Sequence, residues 1–318
     1  MSFTFIDLFA GGGGFSIGAT DAGGELLWAC NHDPTAVEYH ARHFPNAKHA
    51  LEDVRLVDFC ALRREMGRVD LIVAGPSCTG HTKARGKDRP HHKSARSTAW
   101  CVLVAAEAVR PKSIIVENVP EFASWALYPA WEDALRRMGY STRTVVINAA
   151  DAGVPQSRLR MFVIATKGRV APNVEQPKRP HVFARSIVRL DDTYKWKPIP
   201  DAARIAHPDP RVRPLADNTK RRIEEGRRVH GHTFLTAYYG NESGGRSLDV
   251  PLGTVTTRAR HAIMRGDEMR MLHPEELRAA MSFPDDFDLP KSKAKAIRLL
   301  GNAVPAKLAQ YAVGEVMR

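Results

Sequence analysis

The first half of the chain alternates short apolar runs with amphipathic stretches. Apolar runs at 3–9, 26–30, 70–74, 113–117, 142–148 and 161–166 have the length and composition of strands. Between them, 34–43 and 98–109 repeat their apolar residues at helical intervals. Strands alternating with helices predict βαβ units around a parallel sheet. After residue 167 the pattern weakens. Prolines and arginines become frequent up to about residue 265, and turn signals such as the Asn-Glu-Ser-Gly-Gly run at 241–245 interrupt it. A separate small domain or long insertion with little regular structure is expected there. A helix resumes in PEELRAAM at residue 274, with proline in the first turn, and another is expected at 305–316. No internal repeat is visible.

A chain of 318 residues can hold one large α/β domain with an appendage, or two domains. Hydrophobic residues at 43% and charged residues at 26% exclude a chain disordered throughout. No apolar run approaches the roughly 18 residues of a membrane span. The start, MSFTFIDLFAGGGG, does not read as a secretory leader. Cys30, Cys60, Cys78 and Cys101 are too scattered for a disulfide framework, and no C-x-x-C points to zinc. A soluble protein of a reducing cytosol is expected, without metal.

Charge changes the picture further. Lys and Arg number 47 against 35 Asp and Glu, a net charge of +12. Residues 1–79 carry 6 basic and 10 acidic residues, whereas 80–100 carry 6 and 1, and 167–270 carry 21 and 12. The excess thus sits in two stretches, the footprint of a polyanionic partner. A solvated basic surface is the plainer alternative.

Four places carry candidate chemistry. The first strand runs into Gly11-Gly12-Gly13-Gly14 and then a helix, a turn that lets backbone approach a ligand. Dinucleotide and S-adenosylmethionine sites share that signal, but Gly18 is misplaced for G-x-G-x-x-G. Cys78, in AGPSCTGHT, follows the strand ending at Ala74 and precedes six basic residues, a setting that favours a thiolate. Glu117 and Asn118 end the next apolar strand, where a carboxylate is costly unless paired, protonated or working. In QSRLR, strand alternation projects Arg158 and Arg160 to the same side, suited to an anion or carbonyl.

FIDLFAGGGGF, GPSC, ENV, QSRLR, RMLHPEELRAAMSFPDDF and GNAVP, in that order, resemble the ordered motifs of DNA cytosine-5 methyltransferases of bacterial or phage type. The resemblance covers nearly the whole chain except 167–250. It implies a Rossmann-like methyltransferase fold, mostly parallel with helices on both faces, and a small, irregular target-recognition domain. The catalytic domain would span 1–166, the recognition domain 167–265, and 266–318 would return to the catalytic domain.

By the same resemblance, Phe9, Ala10, Gly11 and Gly13 match the S-adenosylmethionine strand and loop, the phenyl ring lying against adenine. Asn31 and His32 fall at the ribose position, Asp53 and Val54 at the adenine edge, and Gly75 beside the nucleophile's turn. Asn302, Ala303 and Val304 match the segment that closes over the cofactor. Cys78 matches the nucleophile, Glu117 the acid that contacts the base, and Arg158 and Arg160 the arginines that support it. Thr82, Arg85 and Arg96 belong to the loop that closes on double-stranded DNA, and Thr254, Thr256 and Arg258 to the end of the recognition domain. A monomer is the default expectation, in a bacterial or phage-infected cytoplasm.

Three positions depart from the family pattern. Asn31 stands where an acid usually holds the ribose, Ser77 where proline precedes the nucleophile, and Thr79-Gly80-His81-Thr82 where Gln-x-Phe-Ser is common. Action on RNA, transfer of a larger one-carbon group such as carboxymethyl, and DNA binding without catalysis are the alternatives.

Overall fold

The computed structural model describes residues 2–77, 97–199, 215–238 and 244–318. Seven strands form the main sheet: β1 (Phe3–Asp7), β2 (Gly24–Asn31), β3 (Lys48–Leu51), β4 (Leu71–Ala74), β5 (Ser113–Asn118), β6 (Tyr140–Asn148) and β7 (Leu159–Lys167). Their order is β3-β2-β1-β4-β5-β7-β6, and only β7 runs against the rest. Six of the strands were legible as apolar runs. The edge strand β3, Lys-His-Ala-Leu with no buried residue, has no such signal.

Strand alternation feeds two cores. Ile6, Ile72, Ala74, Ile114, Val116, Met161 and Val163 enter one. They meet α3 (Phe59–Met66), α4 (Trp100–Val109) and α5 (Tyr128–Arg137), with Phe59, Leu62, Val102, Ala106, Trp131 and Leu135 inside. Phe3, Phe5, Leu71, Val73, Ile115, Phe162 and Ile164 enter the other. They meet α1 (Gly14–Asp21) and the final helix (Ala306–Met317) through Phe15, Ala19, Leu308, Ala312 and Val316. Helices thus cover both faces, and α2 (Pro34–His43) packs at the side through Ala36 and Tyr39.

The sheet order reverses between β1 and β4. In a doubly wound sheet such a reversal opens a crevice at the carboxyl ends of the strands, here beside the turns after Asp7, Asn31, Leu51 and Ala74.

The stretch after residue 167 is more regular than its sequence suggests, which corrects the expectation of an irregular appendage. It builds a four-stranded antiparallel sheet in the order β8-β11-β10-β9, from β8 (Lys197–Pro198), β9 (Thr233–Ala237), β10 (His261–Arg265) and β11 (Glu268–Met271). The last strand lies beyond residue 265, so the small sheet continues into the segment assigned above to the returning chain. A 14-residue helix, α6 (Asp217–His230), packs on it. Only Ile223 and Gly226 of that helix are buried, with Phe234 against the glycine, which is why no apolar rhythm announces it. Then come α7 (Pro274–Ala280), α8 (Lys293–Asn302) and α9 (Ala306–Met317). Two features of α7 fix its start: Pro274 in the first turn, and a carboxylate of Glu276 accepting from His273 N–H at 2.7 Å.

The carboxyl-terminal segment docks on the amino-terminal turn by close backbone approach. A Cβ added at Gly14 would stand 1.9 Å from the Val304 carbonyl, so only glycine fits. Among the described residues no helix is long and apolar enough to cross a membrane.

Candidate active site

The turn after β1 begins the site. Ala10 N–H donates to Cys30 O at 3.0 Å, which ties the turn to β2, and Gly13 N–H closes it on Ala10 O at 2.8 Å. Gly13 adopts φ +86°, a left-handed conformation that glycine tolerates, and its missing side chain seats the His40 ring.

Beside this turn lies a cavity of about 280 Å³ at the crevice of the sheet. Its described walls are Leu8, Phe9, Asn31, His32, Glu52, Asp53, Val54, Arg55, Ser77 and Thr98. Expected cofactor residues Phe9, Asn31, His32, Asp53 and Val54 therefore converge. Glu52 and Arg55 line it too, and the motif reading passed over both. The Arg55 Nε lies 2.9 Å from Asp53 Oδ1, and this hydrogen bonding holds the Asp53 carboxyl down at about 2. Asn31 Oδ1 accepts the Asp33 N–H at 2.9 Å. Glu52 sits next to Asn31 across the strand pair, its N–H donating to Asn31 O at 3.1 Å.

Asn302, Ala303 and Val304 do not line the cavity. Asn302 is exposed, while Ala303 and Val304 are buried against the small-domain core and α1. Of the three, Val304 meets the glycine turn, its carbonyl closing on Gly14.

The second half of the site is a carboxylate and a guanidinium on adjacent strands. Glu117 on β5 lies opposite Phe162 on β7, and Arg160 two residues earlier reaches it, Nε to Oε1, at 2.7 Å. Both side chains are 12% exposed. Oε2 of Glu117 lies over Gly75, where an added Cβ would stand 3.6 Å away. Asn118 Nδ2 donates to Pro76 O at 3.1 Å, clamping the same turn. The Ser77 N–H then meets Thr98 Oγ1 at 3.2 Å, so the two ends of the intervening segment are stitched together. Cys78, Thr82, Arg85 and Arg96 lie in that segment, outside the described residues.

Arg158 is not brought to this pair. Its guanidinium is buried, donating to the carbonyls of Val255 at 2.6 Å, Gly301 at 3.1 Å and Ala303 at 3.4 Å. Residue 158 precedes β7, which begins at Leu159, so strand alternation does not govern its direction. With Gln156, which accepts from Val255 N–H and donates to Ala280 O, it binds three chain segments together.

Of the other expected DNA residues, Thr254 donates to Ser157 O at 3.0 Å and Thr256 to Arg258 O at 3.0 Å, whereas Arg258 is exposed. The arginines of α6 are largely engaged internally: Arg222 with Ala237 O, Arg227 with Gly266 O and Asp267, and Arg228 with Glu225. These guanidinium groups are therefore held in place by the fold. Cys30 and Cys101 are buried, which pushes both thiols up, Cys30 to about 12. Among the described residues no group of three His, Cys, Asp or Glu is placed to hold a metal ion.

The chain is 27% identical to the type II methyltransferase M1.HphI of Haemophilus parahaemolyticus, over all of this chain and 87% of that protein. It is 24% identical to M.HhaI of the same organism, over 96% of this chain and 92% of that protein. Among solved structures, a protein encoded in an E. coli prophage, assigned as a DNA modification methyltransferase, superposes with a TM-score of 0.73 at 20% identity, covering 99% and 98% of the two chains. Dnmt2 of S. pombe superposes at 0.66 and 17% identity, covering 100% and 98%. A model of the C-5 cytosine-specific DNA methylases matches residues 3–318, and with sheet, crevice and Glu117–Arg160 pair in place, the chain belongs to that family.

Proposed function

We propose that this protein methylates C5 of a flipped-out cytosine in double-stranded DNA, using S-adenosylmethionine and a transient bond from Cys78 to C6 of the base. The observation that carries this reading is the ion pair of Glu117 and Arg160, held over the turn that leads into Cys78. The cavity at the carboxyl ends of β1 to β4 fits the cofactor: an aromatic ring at Phe9 and acids at Glu52 and Asp53 line it, next to the turn that follows β1. When bound, S-adenosylmethionine supplies an electrophilic methyl group. Phe9 would lie against the adenine and Asp53 read its edge. Glu52 would give the ribose the carboxylate that position 31 lacks, with Asn31 contributing its amide.

Cytosine C5 is a weak nucleophile, and the base must leave the stack to be reached. Cys78 thiolate adds at C6, and the C5=C6 electron pair moves to C5. Arg160 anchors Oε1 of Glu117, which leaves Oε2 to hold a proton at N3, while the guanidinium faces O2. C5 takes the methyl group, its proton is lost to a base, and the returning electron pair expels Cys78. The basic residues of 80–100 and Arg258 would hold phosphates. Kinship with type II methyltransferases points to a restriction–modification setting in a bacterial cytoplasm.

Sequencing DNA from cells that express the chain tests this reading. 5-Methylcytosine at a fixed sequence is expected. A larger modified nucleoside by mass spectrometry would change the transferred group, and unmodified DNA would refute catalysis.

A further inference from the structure

Beneath the glycine turn runs a chain of polar side chains that the chemistry above does not use. It starts at Asp7, at the end of β1, and passes through Ser16 on α1 and His40 on α2 to His49 on β3. Asp7, Ser16 and His40 are all but fully buried. Ser16 Oγ stands 2.8 Å from Asp7 Oδ2, and His40 Nε2 stands 3.1 Å from Ser16 Oγ. His40 Nδ1 lies 2.8 Å from His49 Nε2, and His49 Nδ1 lies 3.0 Å from Ala47 O. At the near end the Phe9 N–H donates to Asp7 Oδ1 at 3.3 Å.

The far end leaves two directions for the protons, set by whether His49 is neutral or charged. A carbonyl only accepts, so His49 carries its proton on Nδ1. A neutral His49 then accepts at Nε2, which puts the proton of His40 on Nδ1. A neutral His40 accepts at Nε2, so the Ser16 hydroxyl donates to it. With its hydrogen on His40, the Ser16 oxygen is left to accept from a protonated Asp7, whereas toward an ionised Asp7 the hydroxyl donates to Oδ2. With Asp7 protonated, every hydrogen of the chain meets an acceptor and no charge is buried. The reverse direction needs a carboxylate at Asp7 and an imidazolium at His49. Burial opposes both: it pushes Asp7 up to about 7, His40 down to about 3, and His49 down as well. The other titratable groups facing the chain are Cys30 on β2, near Asp7, and His43 on α2, near His40 and flanked by Asp21 and Asp286.

We propose that Ser16, His40 and His49 are positioning residues for the cofactor turn: their one-way hydrogen-bond chain keeps Asp7 a neutral acid that fixes the Phe9 N–H, and it seats the His40 ring under Gly13. The claim rests on the cavity being the S-adenosylmethionine site.

Two measurements on the full chain test it. Long-range ¹H–¹⁵N NMR of the wild-type protein near pH 6 is expected to show His40 protonated on Nδ1. Protonation on Nε2 would overturn the proposal, and no variant has to fold for that answer. Calorimetric titration with S-adenosylhomocysteine is expected to show about tenfold weaker binding in S16A and H49F, for one lost buried hydrogen bond with its unpaired partner. In D7N the amide accepts from Phe9 and donates to Ser16 as the neutral acid does, so it keeps affinity within about twofold. D7N binding as weakly as S16A would show that the carboxylate matters, and the proposal fails. Wild-type protein that shows the Nδ1 tautomer but binds no S-adenosylhomocysteine would remove the cofactor reading, and the positioning role with it.

Discussion

Arg158 and Arg160 stand two residues apart in one motif, yet their guanidinium groups do different work, and replacing each by alanine separates the two roles. Arg158→Ala leaves the carbonyls of Val255, Gly301 and Ala303 without their donor in a buried place. A buried acceptor left unpaired costs about 1–3 kcal/mol, and the 3.4 Å contact to Ala303 counts least. The expected loss is about 3–5 kcal/mol, a large part of the roughly 5–15 kcal/mol that holds a protein folded. Urea unfolding measures that loss, and single-turnover methyl transfer in the cold measures chemistry in the fraction still folded. R158A is expected to be much less stable yet to keep most of its chemical rate per folded molecule. R160A also leaves a buried carboxylate without its partner and should lose stability, but its chemical rate per folded molecule should fall about a hundredfold or more. R158A as stable as wild type, with a rate as low as that of R160A, would refute the division.

Three further outcomes follow from the site. Glu117→Gln keeps the shape of the pair but not its charge, so single-turnover transfer should fall by about 10²–10⁴ while S-adenosylhomocysteine affinity holds; an unchanged rate would exclude Glu117 from the chemistry. Glu52→Ala should weaken S-adenosylhomocysteine about tenfold or more, and an analogue lacking the ribose hydroxyls should bind both forms alike; equal loss with that analogue would place Glu52 elsewhere. Asp7, raised to about 7, stays protonated in the native chain between about pH 4 and 7, where the unfolded chain has released the proton. Its contribution to stability therefore falls as pH rises through that window and is flat above it. The stability of D7N relative to wild type should climb by roughly 4 kcal/mol across it, and a constant difference would contradict the burial argument.

Strands buried on both faces read directly as apolar runs, and so did the helix Pro34–His43, whose apolar side faces a core. The half-exposed strand β6 was legible too, but β3, which buries nothing, and α6, which hides a single isoleucine and a glycine beneath an arginine-rich surface, were not. The motifs marked Glu117, Arg160, Phe9 and Asp53 by residue type, and the structure pairs the first two and sets the others in the cavity wall. The same motifs misplaced Arg158, since residue type cannot tell a guanidinium aimed at a base from one aimed at three carbonyls of distant segments. Glu52 and Arg55 escaped for the opposite reason. They reach the cavity only because the turn after the edge strand β3 folds beside Asn31, and no local spacing records that neighbour.

Trapping on duplex DNA that carries 5-fluorocytosine in place of cytosine tests the covalent step most directly. Fluorine at C5 cannot leave as a proton does, so the sulfur–C6 bond should persist once the methyl group has moved. The expected result is a one-to-one protein–DNA adduct, dependent on S-adenosylmethionine, that peptide mass spectrometry maps to Cys78 and that C78S abolishes. DNA binding with no adduct, or an adduct on Cys30, Cys60 or Cys101, would contradict the account.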